Sequence, residues 1–366
     1  MPCPPGRCAR HSPTSKSRSS PWRLPLIKTA VIGYGLSART FHLPFIRNQA
    51  ELQLVAISSS QEQLRQDHPQ LQHYPDGSEL IAHSDAELVV ITSPNHCHFS
   101  LARQALLAGK DVLVEKPFVV TAEEGAELLA LAARQQRVLA VYHNRRFDGD
   151  FLTLQQLLRT GELGEIRYFE SHFDRFRPIP RARWREQAVP GGGILYDLGP
   201  HLIDQALVLF GLPEAISARC RELRAGAEAT DYFHLQLHYP DKEVVLHSSP
   251  FCAAPTLRFV LQGTQGSYHK SGLDPQEDAL RAGALPGGPD WGLEPASQHG
   301  SIHTEHESRT LPTLAGNYQL FYQQLAQALQ RRLPPPVTPA DALQGIRLIE
   351  LAYRSHQQGR TLEVSR

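Results

Sequence analysis

A glycine-rich turn directly after an apolar run constrains the fold of this chain more than any other feature. Residues 27–32 (IKTAVI) are rich in β-branched side chains and predict a buried strand. The turn that follows matches G-x-G-x-x-G/A and consists of Gly33, Tyr34, Gly35, Leu36, Ser37 and Ala38. The first glycine permits a tight turn, the second lets the backbone approach a pyrophosphate, and a small third residue lets helix pack on strand. Between a strand and a helix, this pattern predicts a dinucleotide site; the alternative is a glycine turn without a ligand.

The segments around the turn alternate between strand and helix. Short apolar runs at 52–57, 88–92, 111–114 and 138–142 alternate with helix-like stretches at 38–48, 97–108 and 122–136. Continuous apolar runs are typical of strands covered on both faces, and Thr121 with Glu124 forms a capping-box signal. We therefore predict an α/β Rossmann domain, a doubly wound parallel sheet, over residues 27–147.

The second half of the chain has a different pattern. Phe233, Leu235, Leu237 and Tyr239 fall on one face of an alternating segment, and residues 239–242 predict a hairpin turn. We predict an α+β domain over 148–366 with a large open, mainly antiparallel sheet and helices on one face. Residues 272–316 are rich in Gly, Pro and His, and we expect a long loop that is functional or disordered.

The first 26 residues are basic, rich in Pro and Ser, and contain no acid. They lack the apolar region of a secretory signal. We expect a flexible basic tail over residues 1–26; a transit peptide and an over-extended start are the alternatives.

Composition excludes several functional classes. Lys+Arg and Asp+Glu are both 37, so the chain lacks the basic surplus of a nucleic-acid-binding protein. No apolar run reaches the roughly 18 residues that a membrane span needs. The five cysteines are scattered, with no C-x-x-C pair and no His/Cys cluster, so we expect no metal site and reduced thiols in a cytoplasmic protein.

The end of the second predicted strand bears on the choice of cofactor. An acid there normally holds the adenine ribose of NAD, but this chain has Ser58, Ser59 and Ser60. Serines can donate hydrogen bonds to a 2′-phosphate, and Arg39 could supply positive charge. The pattern favours NADP over NAD, although a neutral strand end could tolerate both.

Two further motifs carry reactive side chains. Lys116 follows a predicted parallel strand, where strand ends line the ligand crevice, and its ammonium could stabilise an alkoxide. Asp197 precedes a helix that Pro200 should open and Gly211 should end, and His201 lies on its first turn. Histidine is a natural general base near neutral pH. Taken singly, the lysine could be a solvated charge, and the aspartate and histidine could merely cap the helix.

Together these motifs resemble the Gfo/Idh/MocA oxidoreductase family over nearly everything after Leu26. The resemblance is closest to its branch of NADP-type scyllo-inositol dehydrogenases. It rests on segments 33–35, 41–42, 93–98, 115–117, 143–147, 183–186, 196–201 and 272–278.

The resemblance implies roles for individual residues. Lys116, Asp197 and His201 would form the catalytic set, with Asp197 and His201 also binding substrate. The weaker candidates for substrate contacts are Asn144, Arg145 and Trp184. For the neighbouring Arg146 and Arg185, structural salt bridges are an equal alternative. The residues lining the cofactor, beyond the glycine turn and the three serines, would be Thr92, Ser93, Pro94, Asn95, His98, Glu115 and Lys116.

The resemblance also implies an activity and an assembly. We expect hydride transfer between a nicotinamide cofactor and one hydroxyl carbon of a small polyol or sugar, without a metal because Lys116 replaces the Lewis acid. The alternatives are a redox-neutral NAD-dependent glycosidase and a non-catalytic cofactor sensor. An uncovered apolar sheet face would be unstable in water, so we expect a homodimer or homotetramer through the C-terminal sheet.

Overall fold

The N-terminal part of the chain forms a parallel sheet. The computed structural model describes Met1 and residues 25–365, so nearly all of the predicted basic tail lies outside the described residues. Six strands pair in parallel in the order β3-β2-β1-β4-β5-β6. The strands are β1 (Ile27–Ile32), β2 (Leu52–Ser58), β3 (Gln72–Tyr74), β4 (Leu88–Ile91), β5 (Asp111–Glu115) and β6 (Leu139–Tyr142). All their carboxyl ends therefore meet at one edge of the sheet.

Helices cover this sheet. They are α1 (Leu43–Asn48), α2 (Gln63–Asp67), α3 (Gly77–His83), α4 (His98–Leu107) and α5 (Ala122–Gln135), and a π-helical turn, Ala38–His42, leads into α1. Every residue of β4, β5 and β6 is buried, as expected of strands covered on both faces. Thr121 caps α5, and Glu124 completes the predicted capping box. The predicted doubly wound Rossmann architecture is confirmed.

A nine-stranded sheet dominates the rest of the chain. Its order is β14-β13-β12-β11-β7-β10-β9-β8-β15, and only the β7–β10 pair is parallel. The strands are β7 (Ile166–His172), β8 (Ala215–Arg221), β9 (Tyr232–His238), β10 (Glu243–Ser248), β11 (Leu257–Gly263), β12 (Ser267–Ser271), β13 (Gly300–His303), β14 (Ser308–Leu311) and β15 (Leu362–Glu363). The helices are α6 (Gly149–Thr160), α7 (Ile194–Asp197), α8 (Gly199–Phe210), α9 (Gln276–Arg281), α10 (Tyr318–Arg331) and α11 (Pro339–Gln358). The predicted open, mainly antiparallel sheet is confirmed.

The two faces of the large sheet differ in chemistry. Phe233, Leu235 and Leu237 of β9 are fully buried on the core face, as the alternation predicts. The opposite face carries half-buried polar side chains, among them His234 on β9 and His247 on β10. Polar residues thus occupy most of the outward positions of these two strands, with Val245 of β10 buried among them.

Residues 272–316 are ordered, contrary to the prediction of a long structureless loop. The segment contains α9 and strands β13 and β14, of which β14 forms one edge of the sheet. Polar contacts hold it in place: Asp274 accepts a hydrogen bond from Gly149 N (2.7 Å), and Gln276 Oε1 accepts from Trp291 Nε1 (3.0 Å) and Tyr318 N (2.8 Å). These contacts are polar and join residues distant in sequence. The segment therefore has no apolar periodicity from which its helix and strands could be predicted. Across residues 25–365, no helix combines the length and the apolar character needed to cross a membrane.

Candidate active site

The glycine turn joins the carboxyl ends of the central strands. Gly33 N donates to Ser58 O (2.9 Å), and Thr92 N donates to Ile32 O (2.9 Å). Gly33 has φ +100°, and a Cβ there would lie 2.7 Å from Thr92 Oγ1, so only glycine fits. A Cβ on Gly35 would meet nothing within 4 Å, so the second glycine faces open space. This combination of a tight turn and an open second glycine fits the approach of a pyrophosphate.

The serine-rich end of β2 lies beside this turn. Ser58 is buried, Ser59 is half-buried with its N–H donating to Tyr74 O (3.1 Å), and Ser60 is exposed. Arg39 is exposed, with its guanidinium carbon 5.6 Å from the Tyr34 ring centroid. The nearby acid, Asp67, accepts a hydrogen bond from Tyr34 Oη (2.6 Å), which lowers the pKa of its carboxyl.

A buried carboxylate lies under the turn. Glu115, at the end of β5, accepts hydrogen bonds from Ser37 Oγ and from its neighbour's backbone, Lys116 N (3.0 Å), and lies 3.0 Å from His42 Nε2. His42 Nδ1 in turn lies 2.6 Å from Tyr322 Oη. Burial alone would raise the pKa of Glu115, but His42, Lys116 and Ser37 outweigh it and lower the pKa to about 2. Ser37 and Glu115, two predicted cofactor residues, thus bind each other, and sequence reasoning gave His42 and Tyr322 no role.

The predicted nicotinamide-side residues form a braced loop after β4. Asn95 Nδ2 donates to Gly191 O (2.8 Å), which ties the loop to the second domain. Both ring nitrogens of His98 face backbone carbonyls, Pro117 O at 2.8 Å and Ser93 O at 3.0 Å. The ring is fully buried and held by these two carbonyls, so it supports the loop from inside the protein, and burial lowers its pKa. Pro94 is exposed, and Thr92 Oγ1 donates to Ile32 O (2.8 Å).

One polar atom of this loop has no partner. Ser93 Oγ is buried without a hydrogen bond in the part of the chain that the structure describes. A buried unpartnered hydroxyl beside the carboxyl edge suits a ligand that brings its own polar groups. With the open space at Gly35, it makes these residues fit a dinucleotide along this edge.

Lys116 and Asp197 meet where the two domains adjoin. Lys116 follows β5, and its Nζ donates to Asp197 O (2.8 Å) and Asp197 Oδ1 (3.2 Å). Arg185 Nε lies 3.7 Å from the same carboxylate oxygen. Burial alone would raise the pKa of Asp197, but Lys116, Arg185 and Arg175 outweigh it and hold the pKa below its usual range. Asp197 is therefore a carboxylate at neutral pH.

His201 lies on the first turn of α8, as predicted, and is 5% exposed. Its Nδ1 has no hydrogen-bond partner among the described residues, and the His143 ring lies 6.4 Å away between centroids. Burial, followed by the charges of Lys116 and Arg145, lowers the pKa of His201 well below its ordinary value. The ring is therefore neutral at pH 7 and able to accept a proton.

The weaker substrate candidates divide into two groups. Arg145 is buried and ion-paired with Asp148 (3.2 Å) and Glu277 (2.6 Å), so its charge is already neutralised inside the protein. Asn144 is buried beside it on the same 3-10 turn. Trp184 is half-buried, and the Arg185 guanidinium, which lies beside Asp197, is 4.7 Å from its ring centroid.

Arg146 is a structural residue in this arrangement. Its guanidinium donates to both carboxylate oxygens of Asp204 on α8, at 2.8 and 2.6 Å. The salt-bridged reading of Arg146 thus fits its contacts.

Sequence reasoning missed a group of arginines beside Asp197. Arg175, Arg177, Arg183 and Arg224 line one cavity together with Arg185. Arginine at 175, 177, 181, 183 and 185 recurs at even spacings. In an extended chain this spacing places side chains on one side, and that was the available signal.

A second cluster lies on the polar face of the large sheet. One ligand atom from each of His172, Asp174 and His247 falls within 4.8 Å of the others, which the scattered sequence positions did not suggest. Asp174 already accepts from Ser249 N (2.7 Å) and lies 3.1 Å from His172 Nδ1 and 3.0 Å from His247 Nδ1. Hydrogen bonds within the protein account for part of this cluster, whereas His247 Nδ1 makes none among the described residues, and the three side chains could hold a metal ion.

The fold and site define a class of protein: a two-domain oxidoreductase with a NAD-binding Rossmann fold. The model described as "Oxidoreductase family, NAD-binding Rossmann fold" matches residues 27–143, and "Oxidoreductase family, C-terminal alpha/beta domain" matches residues 155–364. The chain belongs to the Gfo/Idh/MocA oxidoreductase family, as its motifs predict.

Individual relatives match along almost their whole length. The oxidoreductase YdgJ of Escherichia coli is 46% identical over 341 residues, covering 92% of this chain and 98% of that protein. The scyllo-inositol 2-dehydrogenase (NADP(+)) IolW of Bacillus subtilis is 37% identical over 341 residues, covering 92% and 95%. Among solved structures, the oxidoreductase yvaA of Bacillus subtilis has a TM-score of 0.90 at 36% identity, covering 94% of this chain and 100% of that one.

Proposed function

We propose that this protein transfers a hydride between a nicotinamide cofactor, preferably NADP, and one secondary hydroxyl or ketone carbon of a small polyol or sugar. The observation that carries the proposal is the Lys116–Asp197 pair at the carboxyl edge of the parallel sheet, with a neutral His201 close to it. A cation, a carboxylate and a neutral base together meet the needs of an alcohol that loses a proton as hydride leaves.

The chain's own residues divide this work. His201 takes the hydroxyl proton in the direction of oxidation and returns it in reduction. Lys116 binds the reacting oxygen and stabilises its developing negative charge. Asp197 orients Lys116 and accepts a hydrogen bond from a neighbouring hydroxyl of the substrate. The nicotinamide ring, when bound, supplies or accepts the hydride.

The preference for NADP rests on the end of β2. Ser58, Ser59 and Ser60 put no carboxylate where a 2′-phosphate would lie, and Asp67 is engaged by Tyr34. Arg39 offers an exposed positive charge beside the same turn. The similarity to IolW, whose name specifies NADP(+) and scyllo-inositol, supports both the cofactor and the substrate class.

Two other functions use the same fold. A redox-neutral glycosidase would restore its cofactor in every turnover, and a cofactor sensor would need no proton-transfer residues. The neutral His201 and the Lys116–Asp197 pair favour the dehydrogenase over the sensor.

We also propose self-association through the outer face of the nine-stranded sheet, where Val245 and Val260 are 6% and 5% exposed among polar neighbours. Sedimentation velocity should show a dimer or tetramer. A monomer at micromolar concentration would refute this assembly.

The test of function is absorbance at 340 nm with NADP or NAD and a panel of polyols and sugars that includes scyllo-inositol, myo-inositol and glucose. Cofactor binding is measured in parallel by fluorescence titration. We expect at least one polyol to reduce the cofactor, faster with NADP. Cleavage of chromogenic glycosides without net reduction would replace this proposal with the glycosidase, and failure to bind either cofactor would refute it.

A further inference from the structure

The cavity next to Asp197 carries an excess of positive charge. Five arginines and three carboxylates line it. The arginines are Arg175, Arg177, Arg183, Arg185 and Arg224, and the carboxylates are Glu186, Asp197 and Asp231. Asp197 additionally faces Lys116 from the catalytic side. Asp197 thus belongs both to the proposed catalytic set and to the wall of the cavity.

The three carboxylates are already engaged. Glu186 pairs with Arg183 (2.9 Å) and Arg224 (3.0 Å), and Asp231 pairs with Arg224 (2.9 Å). Asp197 pairs with Lys116 at 3.2 Å. Asp197 also attracts Arg175 and Arg177 from beyond 4.0 Å, but it forms an ion pair with neither.

Arg175 and Arg177 are the cations without a counter-ion. Across residues 25–365, no carboxylate oxygen lies within 4.0 Å of either guanidinium, and Arg175 instead lies over the Phe173 ring, 4.9 Å from its centroid. Burial and then neighbouring positive charge lower the pKa of Arg177 to about 10, and burial lowers the pKa of Arg175. Two partly buried cations without an ion-pair partner are energetically unfavourable. The cavity around Arg175 and Arg177 therefore favours the binding of an anion.

The backbone holds these two arginines in position. Arg175 N donates to Ser249 O (3.0 Å) and Arg177 N donates to Pro250 O (2.7 Å), so the segment is extended and paired. Phe176, between them, is 60% exposed on the opposite side. Both arginines therefore line the cavity from a strand-like segment that backbone hydrogen bonds hold in place.

We propose that the substrate carries an anionic group, a carboxylate or a phosphate, which Arg175 and Arg177 bind while the neighbouring hydroxyl carbon reacts beside Asp197. The proposal rests on the proposed function and narrows its substrate class to sugar acids or phosphorylated polyols and sugars. Guanidinium groups bind both anions through paired, charge-assisted hydrogen bonds. A wholly neutral polyol leaves both arginines without a counter-ion.

The test compares matched ligands by isothermal titration calorimetry on protein saturated with NADP. The ligands are glucose, glucuronate and glucose 6-phosphate, together with myo-inositol and its monophosphate. We expect at least one anionic ligand to bind about tenfold more tightly than its neutral counterpart, as one charge-assisted contact predicts. Comparison of the carboxylate ligand with the phosphate ligands then shows which of the two anionic groups the arginines prefer.

Variants assign the preference to the arginines. Arg177→Gln and Arg175→Gln should each remove most of the anionic advantage, measured as the ratio of the anionic to the neutral ligand's affinity. Arg177→Lys should retain part of it. The matched control is Arg159→Gln, which removes an exposed arginine at the end of α6 and should change neither affinity.

Binding and turnover separate this inference from the proposed function. If neutral polyols reduce the cofactor and no anionic ligand binds more tightly, the dehydrogenase stands and the anion site is refuted. The anion site is also refuted if the anionic preference survives in both Arg175→Gln and Arg177→Gln. If anions bind in an arginine-dependent way and no ligand reduces the cofactor, the proposed function fails instead.

Discussion

Two regions meet at the Lys116–Asp197 pair: the cofactor edge of the parallel sheet and the arginine-lined cavity of the second domain. They differ in whether their buried charges have partners within the protein. At the cofactor edge, Glu115 is bound by His42 and Ser37, so its charge is satisfied inside the protein. On the other side, Arg175 and Arg177 have no counter-ion among the described residues. The geometry of the first region fits a ligand that approaches the backbone, and we propose that the second region binds a ligand that carries its own negative charge.

The largest expected effect lies at the junction of the two regions. Lys116→Ala should lower kcat by about 10²- to 10³-fold, because it removes the cation that stabilises the reacting oxygen. Cofactor affinity should stay nearly unchanged. The measurement is initial rate at saturating substrate together with a fluorescence titration of NADP.

Lys28→Ala is the control for this change, since Lys28 is a half-buried lysine of β1 whose Nζ pairs with the exposed Asp85. Equal losses of activity in Lys116→Ala and Lys28→Ala would show that Lys116 has no specific role in stabilising the reacting oxygen.

The second prediction tests the self-contained character of the cofactor edge through stability. Glu115 has its pKa lowered from 4.5 to about 2 in the folded protein. It therefore contributes about 3 kcal/mol to the free energy of unfolding at neutral pH, and this is lost as pH falls from about 4.5 through about 2. Urea unfolding at pH 6 and pH 2.5 should show Glu115→Gln less stable than wild type at pH 6, with most of that difference gone at pH 2.5. A difference that is independent of pH would contradict the buried carboxylate network.

The third prediction separates folding from ligand binding within the glycine turn. Gly33→Ala should destabilise the fold by about 1–3 kcal/mol, because the residue has φ +100° and a Cβ would clash with Thr92. Gly35→Ala should leave the melting temperature unchanged and weaken NADP binding by about tenfold, because its Cβ would enter the open space where the pyrophosphate lies. Thermal melts and cofactor titrations of the two variants distinguish these effects. Equal cofactor affinity in Gly35→Ala and wild type would exclude the pyrophosphate from this turn.

The smallest expected effect concerns cofactor choice. Arg39→Gln should weaken NADP binding by about fivefold, as for loss of an exposed charge contact, and leave NAD binding unchanged. Dissociation constants for both cofactors provide the measurement, with Arg134→Gln on α5 as an exposed control. A parallel loss for NAD and NADP would remove Arg39 from the discrimination.

Local patterns predicted the fold well where short-range chemistry determines structure. The Thr121–Glu124 capping box, the alternation of Phe233, Leu235 and Leu237, and the strand-turn-helix around Gly33 are all set by neighbouring residues. Strands β13 and β14 were missed because each has only four residues and because they join the sheet through the pairing of β13 with β12, which lies earlier in the chain.

The site was only partly predictable for the same reason. The structure brings Lys116 and Asp197 together as expected, and both lie in recognisable motifs. No roles were predicted for His42, Tyr322 and Arg175. Their contacts with Glu115, with His42 and with the arginine-lined cavity join residues that no sequence spacing connects. Sequence reasoning assigned Arg145 to the substrate, whereas its guanidinium is paired with Asp148 and Glu277.

The most direct test of hydride transfer follows an isotope. A polyol or sugar substrate deuterated at every hydroxyl carbon is incubated with the protein and NADP, and the reduced cofactor is analysed by NMR. The proposed function predicts one deuterium at C4 of the nicotinamide for each product molecule formed, and Lys116→Ala should abolish the transfer. Product formed while the cofactor stays oxidised, or reduced cofactor without deuterium, would contradict the account.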